Sequence, residues 1–273
     1  MKHTYKQQFD LSGKVAVVTG GIGILGKLFC AGLAEFGANI AVLDLDDHKA
    51  KEYAKYLNQN YGVACVGNGC DVSDPESIRL TCDKIEKQIG PINILHNNAA
   101  TKGNDLTKFF ASVGKISLKS WREIMAVNLD GMFFMAQEVG SRMAKQGKGS
   151  IIQTASIYGV LGPDQRIYEG AKYLNRSINT PPVYSASKAG VIGLTQYLAT
   201  YWAASGVRVN TLTPGGVESG QNEKFKKLYA DRVPMQRMAD AKEMVGALIF
   251  LASDASSYVT GQNLCIDGGM SSW

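Results

Sequence analysis

At 273 residues, 45% of them hydrophobic, the chain is long enough to bury one large α/β core or two small ones. The formal net charge of +5 is mild, and its densest basic stretch, residues 224–227, is typical of the solvated side of a helix, so we expect no nucleic-acid partner. Five cysteines without a CxxC pair and three histidines far apart in sequence exclude the usual disulfide and zinc patterns. We therefore expect no metal, and a structural role for His96.

Two segments bear on where the protein resides. Residues 1–10 contain no apolar run that would serve as a signal peptide. Residues 189–207 carry no charge over nearly the length of a membrane span, but they include Gly190, Gly193 and Gln196 and follow a lysine-bearing turn. A helix buried against the sheet or a partner subunit explains this segment better. We expect a cytoplasmic protein that does not enter a membrane.

Short apolar, β-branched runs alternate with longer stretches of helical period along the chain. The predicted strands are 15–19, 40–43, 63–66, 92–95, 150–154, 207–212 and 263–266. The predicted helices are 24–36, 47–60, one beginning near 73–75, 118–145, 182–204, 222–229 and 241–252. This βαβα alternation, without a linker or an internal repeat, predicts a single domain over residues 1–273. Its class is α/β, a Rossmann fold with a doubly wound parallel sheet of seven strands and helices on both faces.

A glycine-rich turn, TGGIGILG at residues 19–26, lies between the first predicted strand and the first helix. Glycine lets the backbone come close to phosphates, and a helix N-terminus offers free N–H groups and the positive end of a dipole. Such a turn is a weak signal alone, but its place between strand and helix strengthens it. We predict a dinucleotide site there.

Asp44 ends the second predicted strand, where a carboxylate can accept hydrogen bonds from both hydroxyls of an adenosine ribose. A 2′-phosphate would meet a like charge at this position, and no Arg adjoins Asp44 to bind it. We therefore predict NAD as the cofactor, rather than NADP. The alternative is an aspartate that only caps a helix.

Tyr184 and Lys188 are spaced i and i+4, on one face of a predicted helix. A free phenol titrates near pH ~10, too high for an efficient base at neutral pH. A neighbouring ammonium, joined by the positive nicotinamide ring, favours the phenolate and lowers that pKa. Tyr184 can then exchange a proton with a substrate oxygen while hydride moves between carbon and nicotinamide. The Y-x-x-x-K pattern alone is common by chance.

Eight segments in order give the chain its resemblance to the short-chain dehydrogenase/reductase family, over essentially its whole length. They are 19–26, 71–72 (DV), 97–100 (NNAA), 128–131 (NLDG), 156–159 (SIYG), 184–188 (YSASK), 214–217 (PGGV) and 267–269 (DGG). The resemblance implies that Ser156 polarises the substrate oxygen and that Tyr184 is the acid/base. It further implies that Lys188 lowers the pKa of Tyr184 and binds the nicotinamide ribose, and that Asn128 anchors a water that relays protons.

The same resemblance implies a cofactor site and a homotetramer. Asp71 and Val72 would flank the adenine, Asn98 and Ala100 the adenosine and its ribose, and Val217 the carboxamide. With Tyr184 and Lys188, the predicted cofactor-binding residues are Gly20, Ile24, Leu25, Gly26, Asp44, Leu45, Asp71, Val72, Asn98, Ala99, Ala100, Pro214, Gly215 and Val217. The uncharged 189–207 helix is the candidate subunit interface.

The chain departs from the family pattern at the glycine turn and after Ser156. Ile24 stands where a glycine is usual, with Gly23 one residue earlier, so the turn is expected to be reshaped; Ala100 replaces another glycine. Ser156 and Tyr184 are 28 positions apart, so an insertion at 160–183 must lie over or beside the substrate pocket. Its polar and aromatic side chains suit a hydroxyl-rich or phosphorylated substrate, or else merely solvate a loop or contact another subunit. These residues are Gln165, Arg166, Tyr168, Lys172, Tyr173, Asn175 and Arg176.

The insertion and the segments PPVYSASK, LATYW, PGGV and GQNE, which follow it in that order, are similar to a subgroup found with flagellin modification and legionaminic-acid biosynthesis. This implies a small-molecule substrate, a bacterial sugar or sugar phosphate whose hydroxyl is oxidised to a ketone or the reverse. One alternative is a reductase of a non-sugar carbonyl such as a 3-oxoacyl thioester. The other is a non-catalytic dinucleotide sensor, which the presence of Asn128, Ser156, Tyr184 and Lys188 disfavours.

Overall fold

The structure is a computed structural model that describes residues 4–173 and 175–273. Within these ranges the extended runs of the chain form nine strands. Seven of them form one parallel sheet in the order β3-β2-β1-β4-β5-β8-β9, and β6 and β7 pair as a separate antiparallel hairpin. The strands are β1 Val15–Thr19, β2 Asn39–Asp44, β3 Cys65–Gly69, β4 Ile92–Asn97, β5 Gly149–Thr154, β6 Lys172–Tyr173, β7 Arg176–Ser177, β8 Val207–Pro214 and β9 Asn263–Ile266.

Nine α-helices within the described ranges connect these strands. They are α1 Ile24–Glu35, α2 Asp47–Tyr61, α3 Pro75–Ile89, α4 Leu106–Phe109, α5 Leu118–Met125, α6 Gly131–Gln146, α7 Pro182–Trp202, α8 Glu223–Ala230 and α9 Val245–Ala252. Local chemistry sets several ends: the Asp46 and Asp74 carboxylates accept backbone N–H groups at the starts of α2 and α3, and left-handed Gly62 and Gly147 end α2 and α6. Among the helices so described, none is both long and apolar enough to cross a bilayer.

Helices cover both faces of the sheet, as the sequence predicts for this single-domain Rossmann fold. Because successive residues of a strand point to opposite faces, Val18 packs in one core and its neighbour Val17 in the other. The first core also contains Phe29 from α1 and Leu248 from α9, whereas the second contains Met135 from α6. The prediction of a doubly wound sheet is confirmed.

Several elements differ from the sequence-based prediction, among them the third strand and the helix predicted over 118–145. The third strand runs two to three residues later than predicted and includes Gly67, whose strand propensity is low. Gly67 lets α2 pack closely on this strand, because a Cβ there would lie 2.3 Å from the Ala50 backbone. The helix predicted over 118–145 is divided into α5 and α6 by a π-helical turn, Ala126–Asp130. Such single π turns interrupt helices at functional sites, and this one contains Asn128.

The insertion at 160–183, whose residue 174 lies outside the described residues, folds against α8. Ile167 and Ala171 are buried in a small core with Phe225 and Tyr229 of that helix. Asn222, which caps α8, accepts a hydrogen bond from the Lys172 N–H and donates one to the Gly170 carbonyl, both at 3.1 Å. The insertion is therefore a packed lobe beside the carboxyl ends of the strands.

Candidate active site

The sheet reverses its winding between β1 and β4, and a crevice opens at the carboxyl ends of the neighbouring strands, as expected for this topology. Two cavities occupy it. The first, which we name the cleft, has a volume of about 300 Å³ and is bordered among others by Ile24, Asn98, Thr154, Lys188 and Val217. The second, the side cavity, has a volume of about 220 Å³ and is bordered among others by Phe110, Tyr158, Tyr168, Asn179 and Tyr229. Ser156 and Tyr184 border both.

The glycine turn forms one wall of the cleft. Gly20 has a left-handed φ of +62°, and its carbonyl accepts the Gly23 N–H at 3.1 Å, which closes the turn one residue before α1. A Cβ at Gly26 would lie 2.0 Å from that carbonyl oxygen, so the helix can approach the turn only without a side chain there. The reshaped turn thus makes Gly23 the N-cap and exposes Ile24 at the cleft.

This wall fits the phosphates of a dinucleotide. The first turn of α1 leaves the N–H groups of Ile24 and Leu25 without an acceptor among the described residues. Those donors and the positive end of the helix dipole lie beside the cleft that Ile24 and Leu25 border. Anionic phosphate oxygens are the groups that such a terminus binds.

Asp44 and Asp71 lie at the edge of the crevice, beyond the residues that border the cleft. The Asp44 carboxylate accepts the N–H groups of Leu45 at 2.9 Å and Ile22 at 3.3 Å, which ties the end of β2 to the glycine turn. Asp71 follows β3, the strand paired with β2, and its carboxylate accepts the N–H and hydroxyl of Ser73. Both carboxylates are held in place by backbone groups, at the strand ends where an adenosine would lie.

Hydrogen bonds fix the loop after β4 to its neighbours. The Thr19 hydroxyl accepts the N–H groups of Asn98 and Ala99, both at 3.0 Å. Further along, the Asn128 side chain accepts the Thr101 N–H at 2.8 Å and donates to the Thr101 carbonyl at 3.4 Å. The fully buried Asn128 amide therefore anchors this loop, and its expected role in holding a water stays a prediction.

Ser156, Tyr184 and Lys188 come together because a tight turn packs on the start of α7. After β5 the chain turns through Ile157–Gly159, and a Cβ at Gly159 would lie 2.6 Å from the Lys188 backbone. This close approach holds Ser156 beside the helix face that carries Tyr184. Lys188, one turn further along α7, donates from Nζ to the Thr154 carbonyl at 2.8 Å.

Burial dominates the electrostatics of these groups. It raises the pKa of Tyr184, which the nearby Ser156 hydroxyl partly opposes, and it lowers the pKa of Lys188 to about 8. In the protein alone, desolvation thus sets the direction of the Tyr184 pKa shift, and the lowering expected from Lys188 together with the nicotinamide ring stays a prediction. Both groups titrate differently from free side chains, as residues that exchange protons commonly do.

The structure brings most of the predicted site residues to this crevice. Those that border the cleft are Ile24, Leu25, Asn98, Ala100, Ser156, Tyr184, Lys188, Pro214, Gly215 and Val217. Those that stand behind it or at its edge are Gly20, Gly26, Asp44, Leu45, Asp71, Val72, Ala99 and Asn128. Their placement agrees with a cofactor site, and their individual roles stay predictions.

The basic residues that the sequence offered as phosphate ligands do not border the side cavity. Arg166 pairs with Asp164, Arg176 donates to the Thr107 hydroxyl, and Lys172 is exposed. From the insertion, uncharged residues line the cavity, namely the aromatic Tyr168 and Tyr173, the polar Asn179 and Thr180, and the apolar Ile178 and Pro181. The interpretation of those basic side chains as solvated surface groups is therefore the better one.

Among the residues of the side cavity that sequence reasoning missed are Lys102, Tyr158 and Asn179. Lys102 follows the NNAA segment by two positions, and Tyr158 lies inside the SIYG segment, so nearness to motifs was the available signal. Asn179 carries no local signal, because only the fold of the insertion turns it inward.

His96 and the cysteines stay outside the chemistry. The buried His96 ring shares a hydrogen bond of 2.9 Å with the Thr154 hydroxyl, and burial lowers its pKa to about 3, so it is neutral. The five cysteines are free, and in the part of the chain that the structure describes, no group of three His, Cys, Asp or Glu side chains is placed to hold a metal.

Comparisons with known proteins agree with this geometry. A family model described as enoyl-(acyl carrier protein) reductase matches residues 23–271. The chain is 35% identical over 270 residues to a D-threitol dehydrogenase of Mycolicibacterium smegmatis, covering 96% of this chain and 94% of that one. It is 31% identical to a 3-oxoacyl-[acyl-carrier-protein] reductase of Aquifex aeolicus, with coverage of 96% and 99%. A gluconate 5-dehydrogenase of Burkholderia cenocepacia, solved with NADP and tartrate, superposes with a TM-score of 0.86 at 33% identity and covers 98% of each chain.

Proposed function

Because the chain belongs to the short-chain dehydrogenase/reductase family and is thus an oxidoreductase, we propose that it transfers hydride between NAD and a hydroxyl or ketone carbon of a sugar or polyol. The observation that carries the proposal is the position of Ser156 and Tyr184 where the cleft and the side cavity meet. A substrate in one cavity and a nicotinamide in the other would face each other across these hydroxyls.

Each residue has a role that follows from its chemistry. When bound, the nicotinamide accepts or supplies the hydride. Tyr184 removes a proton from the substrate hydroxyl during oxidation and returns it during reduction, and Ser156 donates a hydrogen bond to the same oxygen. Lys188, held by the Thr154 carbonyl, places a positive charge one helical turn from Tyr184 and stabilises its phenolate.

The side cavity supports a small, hydroxylated substrate. Its volume of about 220 Å³ lies below the ~300–1,000 Å³ typical of sites for drug-sized ligands. Aromatic rings of Phe110, Tyr168 and Tyr173 border it together with the polar Asn179 and Gln221. This mixture suits the alternating C–H and O–H groups of a monosaccharide or polyol. The D-threitol and gluconate dehydrogenases among the similar proteins add support.

A reductase of a 3-oxoacyl thioester is the second candidate. It is favoured by the 3-oxoacyl reductase at 31% identity and by apolar lining residues such as Ile157, Ile178 and Met238. Turnover of a short 3-oxoacyl thioester in preference to every polyol would establish it in place of the sugar proposal.

NAD as the cofactor rests on Asp44. Its carboxylate is oriented by the N–H groups of Ile22 and Leu45, at the strand end where the adenosine ribose would lie. The nearby Lys49 pairs with Asp46 at 2.7 Å, which leaves it engaged elsewhere rather than available to a 2′-phosphate. The NADP found in the gluconate 5-dehydrogenase structure makes a direct comparison of both cofactors essential.

The test is a spectrophotometric assay of NAD(H) and NADP(H) turnover across polyols, sugar acids, sugar phosphates and a short 3-oxoacyl thioester. We expect activity with NAD on a sugar-like substrate, and a loss of roughly 10²- to 10⁴-fold in kcat for Tyr184→Phe with unchanged NADH affinity. Lys172→Met, a change on the exposed hairpin, is the matched control. Normal turnover by Tyr184→Phe would refute the assignment of the proton-transfer group.

Three further expectations join the proposal. A homotetramer is supported by the stacked rings of Tyr197 and Tyr201 on α7, which are each 65% exposed. A cytoplasmic location is supported by the five free thiols. A place in bacterial surface-glycan biosynthesis, with flagellin modification or a legionaminic-acid-like sugar as its context, is supported by the insertion and by the segments that resemble that subgroup.

A further inference from the structure

Lys102 stands where the two cavities adjoin. It follows β4 in the loop that Asn128 anchors, and it borders both the cleft and the side cavity. Its ammonium lies 4.4 Å from the centre of the Tyr173 ring, which belongs to the β6–β7 hairpin of the insertion. The ring attracts the cation and holds it in position, but it provides no acceptor oxygen for the three N–H donors.

The charge of Lys102 is not neutralised within the protein. No carboxylate of residues 4–173 or 175–273 lies within 4 Å of its ammonium, whereas Arg166 of the insertion and Lys226 of α8 each have an acidic partner. Among the described residues that border the side cavity, Lys102 alone carries a formal charge. Partial burial of the ammonium also lowers the pKa of Lys102, because desolvation disfavours the cation.

Two other polar groups of the side cavity also lack partners. The Asn179 amide nitrogen donates to the Phe110 carbonyl at 3.0 Å, which fixes the amide orientation, and its Oδ1 is buried without a donor among the described residues. The Tyr158 hydroxyl is likewise buried and unpaired in that part of the chain. Buried polar groups without partners are uncommon, and in a ligand cavity they indicate atoms that a ligand satisfies.

We propose that Lys102 binds an oxyanion, a carboxylate or phosphate, on the sugar-like substrate, while Asn179 accepts a hydrogen bond from a hydroxyl of the same substrate. This rests on the function proposed above and deepens it to anionic sugar derivatives. A substrate that fills the side cavity displaces water from the Lys102 ammonium, and an oxyanion is the group that compensates this loss with a charge-assisted hydrogen bond. The basic residues on the outer surface of the insertion take no part.

The test compares three six-carbon probes that differ only in the terminal group at C1: sorbitol, gluconate and sorbitol 1-phosphate. Binding of each probe to the NADH complex is measured by calorimetry, and kcat/KM is measured wherever turnover occurs. We expect wild type to prefer at least one anionic probe to sorbitol, and the preferred probe identifies the carboxylate or the phosphate. Lys102→Met should reduce that preference roughly 10- to 100-fold, as for loss of a hydrogen bond to a charged group.

Two controls separate this role from others. Lys102→Arg should retain most of the preference for an anionic probe. Lys172→Met, on the exposed side of the β6–β7 hairpin that carries Tyr173, should leave that preference unchanged. Equal losses on all three probes, or a weakened Kd for NADH, would assign Lys102 to the cofactor and overturn the proposal. Wild type that binds or turns over sorbitol at least as well as both anions would also overturn it. Because binding is read separately, an intact anion preference without any turnover would refute only the proposed oxidoreduction.

Discussion

Replacing Lys188 with Met should abolish turnover while stabilising the protein at neutral pH in the absence of cofactor. Lys188 is only 2% exposed, and its single hydrogen bond is to the Thr154 carbonyl. Burial lowers its pKa from 10.5 to about 8. Between these two values the unfolded chain binds the proton more readily than the folded one, so the stability of the folded state rises with pH across that window.

The size of the effect follows from the same two pKa values. At pH 7 the lysine is protonated in both states, and holding its charge inside the fold costs about 3 kcal/mol. Met removes this cost but also the bond to Thr154, worth about 1 kcal/mol, so a net gain of about 2 kcal/mol is expected at pH 7. Raising the pH to about 9.5 discharges Lys188 in the folded state, and the advantage of the variant should shrink by about 2 kcal/mol.

Urea unfolding of both proteins at pH 7, 8.5 and 9.5, at one protein concentration, measures this difference directly. Lys172→Met, which replaces an exposed lysine, is the control for removing a positive charge. A difference between wild type and Lys188→Met that does not change with pH would refute the reasoning. So would a Lys188→Met variant that is less stable at pH 7 than at pH 9.5 relative to wild type.

Three other predictions concern the cofactor, the proton and the oligomer. Asp44→Ala should raise the ratio of kcat/KM with NADP to that with NAD at least roughly tenfold, because a like charge is removed; a wild type that already prefers NADP would contradict it. Because burial raises the pKa of Tyr184, the phenol predominates at both pH 7 and pH 9 while its small phenolate fraction grows with pH; alcohol oxidation should therefore be faster near pH 9 than near pH 7 and ketone reduction nearly unchanged, and parallel pH profiles of the two directions would contradict it. Serine at both Tyr197 and Tyr201 should shift the mass seen by light scattering from tetramer toward dimer or monomer, and a wild-type monomer would exclude the interface.

The sheet could be predicted from sequence because its strands are buried on both sides. Val15–Thr19 is apolar and β-branched over most of its length, and flanking glycines mark where helices begin and end. The third strand was predicted two to three residues too early, because Gly67, Asn68 and Gly69 have low strand propensity and are extended through pairing with β2. The sequence also did not predict the π turn at Ala126–Asp130, because this turn leaves the helical periodicity on either side nearly intact.

The grouping of the candidate catalytic residues could be predicted because they lie on short segments of fixed local geometry. Tyr184 and Lys188 share one helix face, and Ser156 follows a buried strand. The side chains that line the side cavity could not be predicted, because the direction in which they point depends on tertiary packing. A hairpin turns Tyr173 toward Lys102 and sends Lys172, its immediate neighbour, to solvent, as alternate residues of a strand must.

The insertion is attached to the site in a way that separates specificity from catalysis. Its first residue follows Gly159, whose contact with the Lys188 backbone holds Ser156 beside α7, and its last two residues begin α7. The helix α7 packs on the sheet through Val191 and Leu198, which lie outside the insertion. Changes in the length or sequence of the insertion can therefore reshape the side cavity while the candidate catalytic residues keep their positions. Such an arrangement allows the lining of the side cavity to differ between relatives while the proton-transfer groups stay the same. The similar proteins named for threitol, gluconate and 3-oxoacyl thioester substrates are consistent with this.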